Sequence, residues 1–107
     1  MTLENIWHPF EGALSLTFDD GTPSQLRTAV PLLDRYQFRG TLYPTPVGSF
    51  WDRSAADWKA VAASGHELGN HSLSHPCPEA ISGKAPGLER LTLDDLETDI
   101  LAAQDRL

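Results

Sequence analysis

The chain has 107 residues, 40% hydrophobic and 21% charged, which is enough for one core and too little for two domains. Fifteen acidic residues against eight basic ones leave a formal charge of −7, and the basic residues never cluster, which argues against a nucleic-acid surface or an anionic membrane face. The one cysteine, Cys77, excludes an internal disulfide and fits a reducing compartment. With no basic-then-apolar leader in "MTLENIWHPFEG" and no run of membrane-spanning length, the expected location is cytoplasmic.

Apolar periodicity switches along the chain between two and about 3.6, the pattern of alternating strands and helices. Leu14, Leu16 and Phe18 alternate with Ser15 and Thr17 and predict a first strand. Thr22-Pro23-Ser24-Gln25 then reads as a capping box with proline at the first helical position. Leu26, Ala29, Val30 and Leu33 form one face of the helix that follows, which should end near Tyr36. "FRGTLYP" predicts a second strand, stopped by Pro44 and Pro46, and "TPVGSFWD" a loop. Ser54 with Asp57 opens a second helix that turns Trp58, Val61 and Ala62 inward, and Gly65 closes it.

"HELGN" reads as the third strand, and Pro76, Pro78, Gly83, Pro86 and Gly87 make residues 72–90 a long loop. Thr92 with Asp95 starts a last helix, with Leu93, Leu96, Ile100, Ala103 and Leu107 as its inner stripe. Strand–helix alternation implies an α/β fold with a parallel sheet and right-handed crossovers, and chemistry in such sheets gathers at the C-terminal strand ends.

Two polar groups fall at such ends. Asp19 and Asp20 are adjacent carboxylates that repel one another, so either a water-facing turn at Asp20-Gly21, a cation or a shared proton must accommodate them. His71 and His75 are four apart, and one helical turn would place both imidazoles on one side, as a metal requires of two ligands from one segment. His66, at a strand start, reads as a packed or surface residue, and His8, before Pro9, as a loop residue. One Asp with two His is a common facial set for a divalent cation that keeps positions open for water.

"TFDDG" at 17–21 and "HSLSHP" at 71–76 resemble the first two motifs of the polysaccharide deacetylases, the NodB-homology domain of carbohydrate esterase family 4. "GTLYPT" and "GHELGNHS" are similar to that family's second and third strands, and the resemblance runs from about Gly12 to the chain end. It implies a partial (β/α) barrel of about three strand–helix units with parallel strands, residues 1–107 being the N-terminal part of a single domain. It also implies Asp19 as catalytic base, and Asp20, His71 and His75 as ligands of a divalent metal. Zinc is the default ion, and cobalt, nickel or manganese would satisfy the same ligands. In this picture Ser72 shapes the histidine loop and Cys77 packs.

The implied reaction is hydrolysis of a carbon–nitrogen bond other than a peptide, namely N-deacetylation of an acetylated carbohydrate, or attack on a small amide by metal-activated water. The resemblance implies three later motifs, among them an Arg that orients the base and a Leu-x-His that supplies the general acid, and none occurs in these 107 residues. A barrel needs about 200 residues or more, so an arc is expected here, inactive alone and prone to self-association through an exposed sheet edge.

The rival reading is a metal-binding or self-associating module without catalysis. Two other enzyme patterns fail on single residues. An Asp-x-Asp-Gly-Thr phosphatase needs its nucleophile where Phe18 stands, and a His-Glu-x-x-His protease needs Glu where Ser72 stands.

Overall fold

The computed structural model describes residues 6–107. Residues 1–5, the start of the stretch read above for a leader, lie outside them. Three short strands, β1 (Thr17–Asp20), β2 (Thr41–Pro44) and β3 (Glu67–Leu68), form one parallel sheet in the order β1-β2-β3. Thr17 lies opposite Thr41, Asp20 opposite Pro44, and Leu42 opposite Leu68.

The first strand starts later than the alternation from Leu14 suggests. Its ladder begins where the Leu16 carbonyl accepts the Thr41 amide at 2.9 Å, and among the described residues no strand pairs with the chain upstream of that point. Leu14 is consequently 85% exposed.

The connection from β1 to β2 is helical. A π-helical turn (Gln25–Ala29) leads into α1 (Val30–Arg35), with Val30 N–H reaching back to the Gln25 carbonyl. Pro31 has no N–H for the Arg27 carbonyl, and the wider turn just before it relieves the missing bond. The predicted capping box does not form. The Gln25 backbone amide instead donates to the Thr22 carbonyl at 3.0 Å and its side-chain Nε2 to the Asp19 carbonyl, while the Thr22 and Ser24 hydroxyls bond each other at 2.9 Å.

Helix α2 (Ser49–Ala63) begins five residues before the predicted cap at Ser54 and takes in the second half of the predicted loop. Gly48, at φ 91°, starts it, and Asp52 in its first turn complements the helix dipole. Ser54 is buried mid-helix, where its hydroxyl donates to the Phe50 carbonyl at 2.6 Å. Ala62, expected inside, is exposed.

The span from 72 to 90 is not wholly a loop, since it contains α3 (Glu79–Ser82) and a 3₁₀ turn (Leu88–Arg90). The last helix, α4 (Leu93–Gln104), carries the predicted capping box: Thr92 Oγ1 accepts the Asp95 amide and Asp95 accepts the Thr92 amide. Its inner stripe is only partly covered. Ala103 is buried and Leu96 and Leu107 are half-buried, but Leu93 is 83% exposed and Ile100 is exposed as well.

The core lies between the sheet and α1 and α2: Val30, Leu42, Trp51, Trp58 and Val61, with Phe18, Leu26, Leu68 and Leu107 against it. Trp58, 1% exposed, stacks on Trp51 with ring centroids 6.2 Å apart and an interplanar angle of 20°. The radius of gyration, 17.0 Å, exceeds the roughly 13 Å of a compact domain of about 100 residues, as an open arc of three strand–helix units should. Among the described residues no helix is long and apolar enough to cross a membrane.

Truncating the central aromatic should leave a cavity that the short strands cannot close. Trp58→Ala is expected to lower stability by about 3–5 kcal/mol, measured by urea denaturation, whereas Leu14→Ala, at a position 85% exposed, should cost far less.

Candidate metal centre

The site is built where β1 ends. Pro44 stands in register with Asp20, and side chains serve the carbonyls at this end: Gln25 donates to Asp19 and the Thr45 hydroxyl to Asp20 at 3.4 Å. Asp20 itself has φ 74° and Gly21 φ 68°, turning the chain sharply off the strand. A Cβ at position 21 would lie 2.7 Å from the Pro44 side chain, so glycine is required both for the turn and for the close approach. Asp19 and Asp20 are both exposed, and the Asp19 carboxylate makes no hydrogen bond or ion pair with the described residues.

The two histidines come from the segment after β3. Gly69, whose Cβ would strike the Tyr43 ring, continues the pairing by donating to the Leu42 carbonyl at 2.8 Å. Beyond it the chain is an irregular loop. The expected helical turn between His71 and His75 is absent: Ser72 (φ 64°) and His75 (φ 51°) adopt the left-handed conformation, and Pro76 follows. The loop nevertheless brings the rings together, with centroids 4.9 Å apart. His71 Nε2 lies 3.2 Å and His75 Nε2 3.3 Å from the same oxygen, Asp20 Oδ1.

Besides Gln37, which ends the first helix, the non-glycine residues with positive φ among those described are Asp20, Ser72 and His75. Each costs on the order of 1–3 kcal/mol and persists only where neighbours over-determine it. The supports are side chains. Asn70 Oδ1 accepts the Ser72 amide at 2.8 Å, and Ser72 Oγ accepts the His75 amide at 3.0 Å. Asp99 accepts the Leu73 amide at 2.8 Å and the Ser74 amide at 3.0 Å. Partial burial pushes the Asp99 carboxyl up, but bonds from the Ser74 side chain and from the Leu73 and Ser74 amides outweigh it and hold it below the usual carboxylate range.

Asp99 and Asn70 were not singled out in the sequence. The signal for Asp99 was a carboxylate on the inner face of α4, three residues after Leu96 and four before Ala103.

The other histidines stand apart from this cluster. His66 is 4% exposed; its Nδ1 accepts the Gly40 amide at 3.1 Å and its Nε2 faces Asp34 Oδ1 at 3.0 Å, an oxygen that also pairs with Arg39. It packs at the opposite, N-terminal strand ends, which selects the packed one of the two roles its sequence position allowed. His8 lies in an exposed turn. Cys77 is half-buried and free, in the wall of a cavity of about 510 Å³ beside His75 that Lys84 and Leu91 also line.

The donor set suits a cation. One carboxylate oxygen and two imidazole nitrogens lie within 4.8 Å of one another. Ligands about 2.0–2.2 Å from a divalent ion are separated by roughly 2.9–3.5 Å, and the two Nε2–Oδ1 distances of 3.2 and 3.3 Å fall in that range.

The polysaccharide deacetylase profile matches residues 9–107. The fold is similar to that of the peptidoglycan deacetylase PdaC from Bacillus subtilis, with a TM-score of 0.65 and 29% identity, over 86% of this chain and 40% of that one. The chain therefore spans less than half the length of that relative. No curated protein matches it in sequence. A profile match over nearly the whole length, on a parallel strand–helix arc that gathers one aspartate and two histidines at its strand ends, establishes that the chain belongs to the polysaccharide deacetylase family.

Proposed function

We propose that Asp20, His71 and His75 hold a divalent cation, and that the chain supplies the metal-binding and general-base part of a hydrolase that removes N-acetyl groups from a glycan. The observation that carries this reading is one Asp20 oxygen shared at 3.2 and 3.3 Å by two imidazole nitrogens, in a member of the polysaccharide deacetylase family. Zinc is the default ion, and cobalt, nickel or manganese fit the same donors. When bound, the ion supplies Lewis acidity toward an amide carbonyl and acidifies water. Asp19 is adjacent to the ligand Asp20 with no competing partner for its carboxylate among the described residues, so it is the group to accept the proton. Likeness to a peptidoglycan deacetylase supports an N-acetylated glycan over a small cyclic amide.

A second reading is favoured by one observation: both ring nitrogens of the buried His66 are engaged, so it cannot protonate a leaving amine. On that reading the 107 residues bind metal without turning over substrate.

Three outcomes are expected. In a calorimetric Zn²⁺ titration, His71→Ala and His75→Ala should each weaken binding by more than about 100-fold, since even supporting residues of metal sites cost about 10–100-fold. His8→Ala should bind like the parent, and equal losses at all three histidines would refute the ligand set. Affinity should also fall in acid, because a protonated imidazole has no lone pair to give.

The two acids should separate by metal content. Asp19→Asn retains zinc, and in a protein carrying the rest of the domain it lowers turnover by about 10²–10⁴-fold. Asp20→Asn loses the metal too. Identical zinc content in both variants would reverse or void these roles.

The 107-residue chain should release no acetate from an acetylated chitin oligomer and should associate with rising concentration in light scattering, through the open sheet edges and the exposed Leu93 and Ile100. A monomer with turnover of about 1 s⁻¹ or more would overturn both expectations.

A further inference from the structure

We infer that Asp99 is a positioning residue for the metal ligands, and that docking of α4 and metal binding at the histidine loop form one coupled equilibrium. This rests on the reading that Asp20, His71 and His75 hold a cation.

The amides of four successive residues, Ser72 to His75, all donate to side chains: Ser72 to Asn70, Leu73 and Ser74 to Asp99, and His75 to Ser72. A loop with two left-handed residues and no backbone ladder takes its shape from those acceptors. Asn70 and Ser72 lie within the loop and move with it. Asp99 alone of these acceptors belongs to another element, with Oδ2 at 2.8 Å from the Leu73 amide and both oxygens at 3.0 and 3.2 Å from the Ser74 amide. An ionised carboxylate that accepts two consecutive amides fixes the peptide between them in direction as well as distance. Leu73 and Ser74 lie midway between His71 and His75, so their anchoring sets the separation of the two imidazoles.

The dependence runs both ways. Within α4 only Ala103 is buried, while Leu93, Ile100 and Leu101 are exposed, so little apolar contact holds the helix to the sheet. Beyond Ala103 and the Leu107 that follows the helix, what joins it is polar: the Asp99 bonds, Asn70 Nδ2 donating to the Ile100 carbonyl at 2.8 Å, and, just past its end, Arg106 donating to the Pro46 carbonyl at 3.3 Å. A ligand that favours the ordered loop must then favour the docked helix by the same factor.

The test is a calorimetric Zn²⁺ titration of the whole chain as parent, Asp99→Asn, Asp99→Glu and Asp95→Asn. It is combined with amide exchange of Leu73, Ser74 and α4 and with imidazole NMR signals of His71 and His75, recorded with and without zinc. Asparagine keeps the volume but turns an N–H₂ toward a backbone N–H, so Asp99→Asn should weaken zinc binding by about 10–100-fold. Asp99→Glu should restore part of it. Asp95→Asn weakens the reciprocal half of the cap of the same helix without touching the loop, and through the coupling should lower the affinity by much less than Asp99→Asn.

In the zinc-free chain, Asp99→Asn should release the Leu73 and Ser74 amides to fast exchange and shift both imidazole signals. In the parent, zinc should slow exchange along α4. Unchanged affinity and unchanged imidazole signals in Asp99→Asn would overturn the positioning role, and equal losses in Asp95→Asn and Asp99→Asn would show that Asp99 only stabilises the helix. If no chain, parent included, binds zinc, the cation reading itself fails. The zinc-free amide and imidazole data then decide whether Asp99 positions the histidines.

Discussion

Asp20 Oδ1 stands within 3.3 Å of two imidazole nitrogens, and the residues that bring these atoms together share no helix or strand. One carboxylate must be aimed from the end of β1 while two rings are aimed from a loop about fifty residues on. The aim of the carboxylate depends on the turn at Asp20 and Gly21, and that turn is possible because glycine lets the chain pass against Pro44. The aim of the rings depends on β3 joining β2 in register, on Gly69 passing the Tyr43 ring, and on the amides of the loop finding acceptors. Sheet register is thus what turns two distant motifs into one site.

Magnitudes show why such a site needs a rigid frame. Three residues at positive φ, at about 1–3 kcal/mol each, amount to a large fraction of the roughly 5–15 kcal/mol by which a domain is stable. The loop cannot hold that conformation by its own backbone, so the compensation comes from polar side chains at its flanks and from the buried Trp58 and Leu42 beneath the sheet. The adjacent acids at the end of β1 are tolerated for a related reason. Both are exposed, and imidazole nitrogens face Asp20, so neither carboxylate is left buried without a counterpart.

The two ends of the sheet divide the work. At the N-terminal ends of β2 and β3, His66 ties Gly40 to Asp34 with both ring nitrogens used, an arrangement that stabilises but leaves no group to react. At the C-terminal ends the polar groups have spare valence and face solvent, which suits binding and proton transfer. The same chemistry, an imidazole beside a carboxylate, therefore serves structure at one end and the candidate site at the other, and burial separates the two.

Much of this was legible in residue order. The alternation of strands and helices, the parallel sheet, the cap of α4 at Thr92 and Asp95, and the family of "TFDDG" and "HSLSHP" depend on local pattern, because propensity and capping act within a few residues. For His66 a place at a strand start left a packed and a surface role open, and its burial against Gly40 and Asp34 decided for the packed one. Other features had no local signature. The start of β1 depends on where β2 offers a partner, and the start of α2 on Gly48 and on burial of Trp51 rather than on Ser54.

The spacing of His71 and His75 suggested a helical turn, whereas the chain reaches the same convergence with a left-handed loop held from α4. Asp99 is the clearest case: its sequence neighbours mark it only as an acid on a helix face, and its hydrogen bonds reach residues more than twenty positions away. Short-range order determined which residues stand as candidates for the site. Long-range packing decided which of them meet, because only a closed set of hydrogen bonds can hold strained backbone in place.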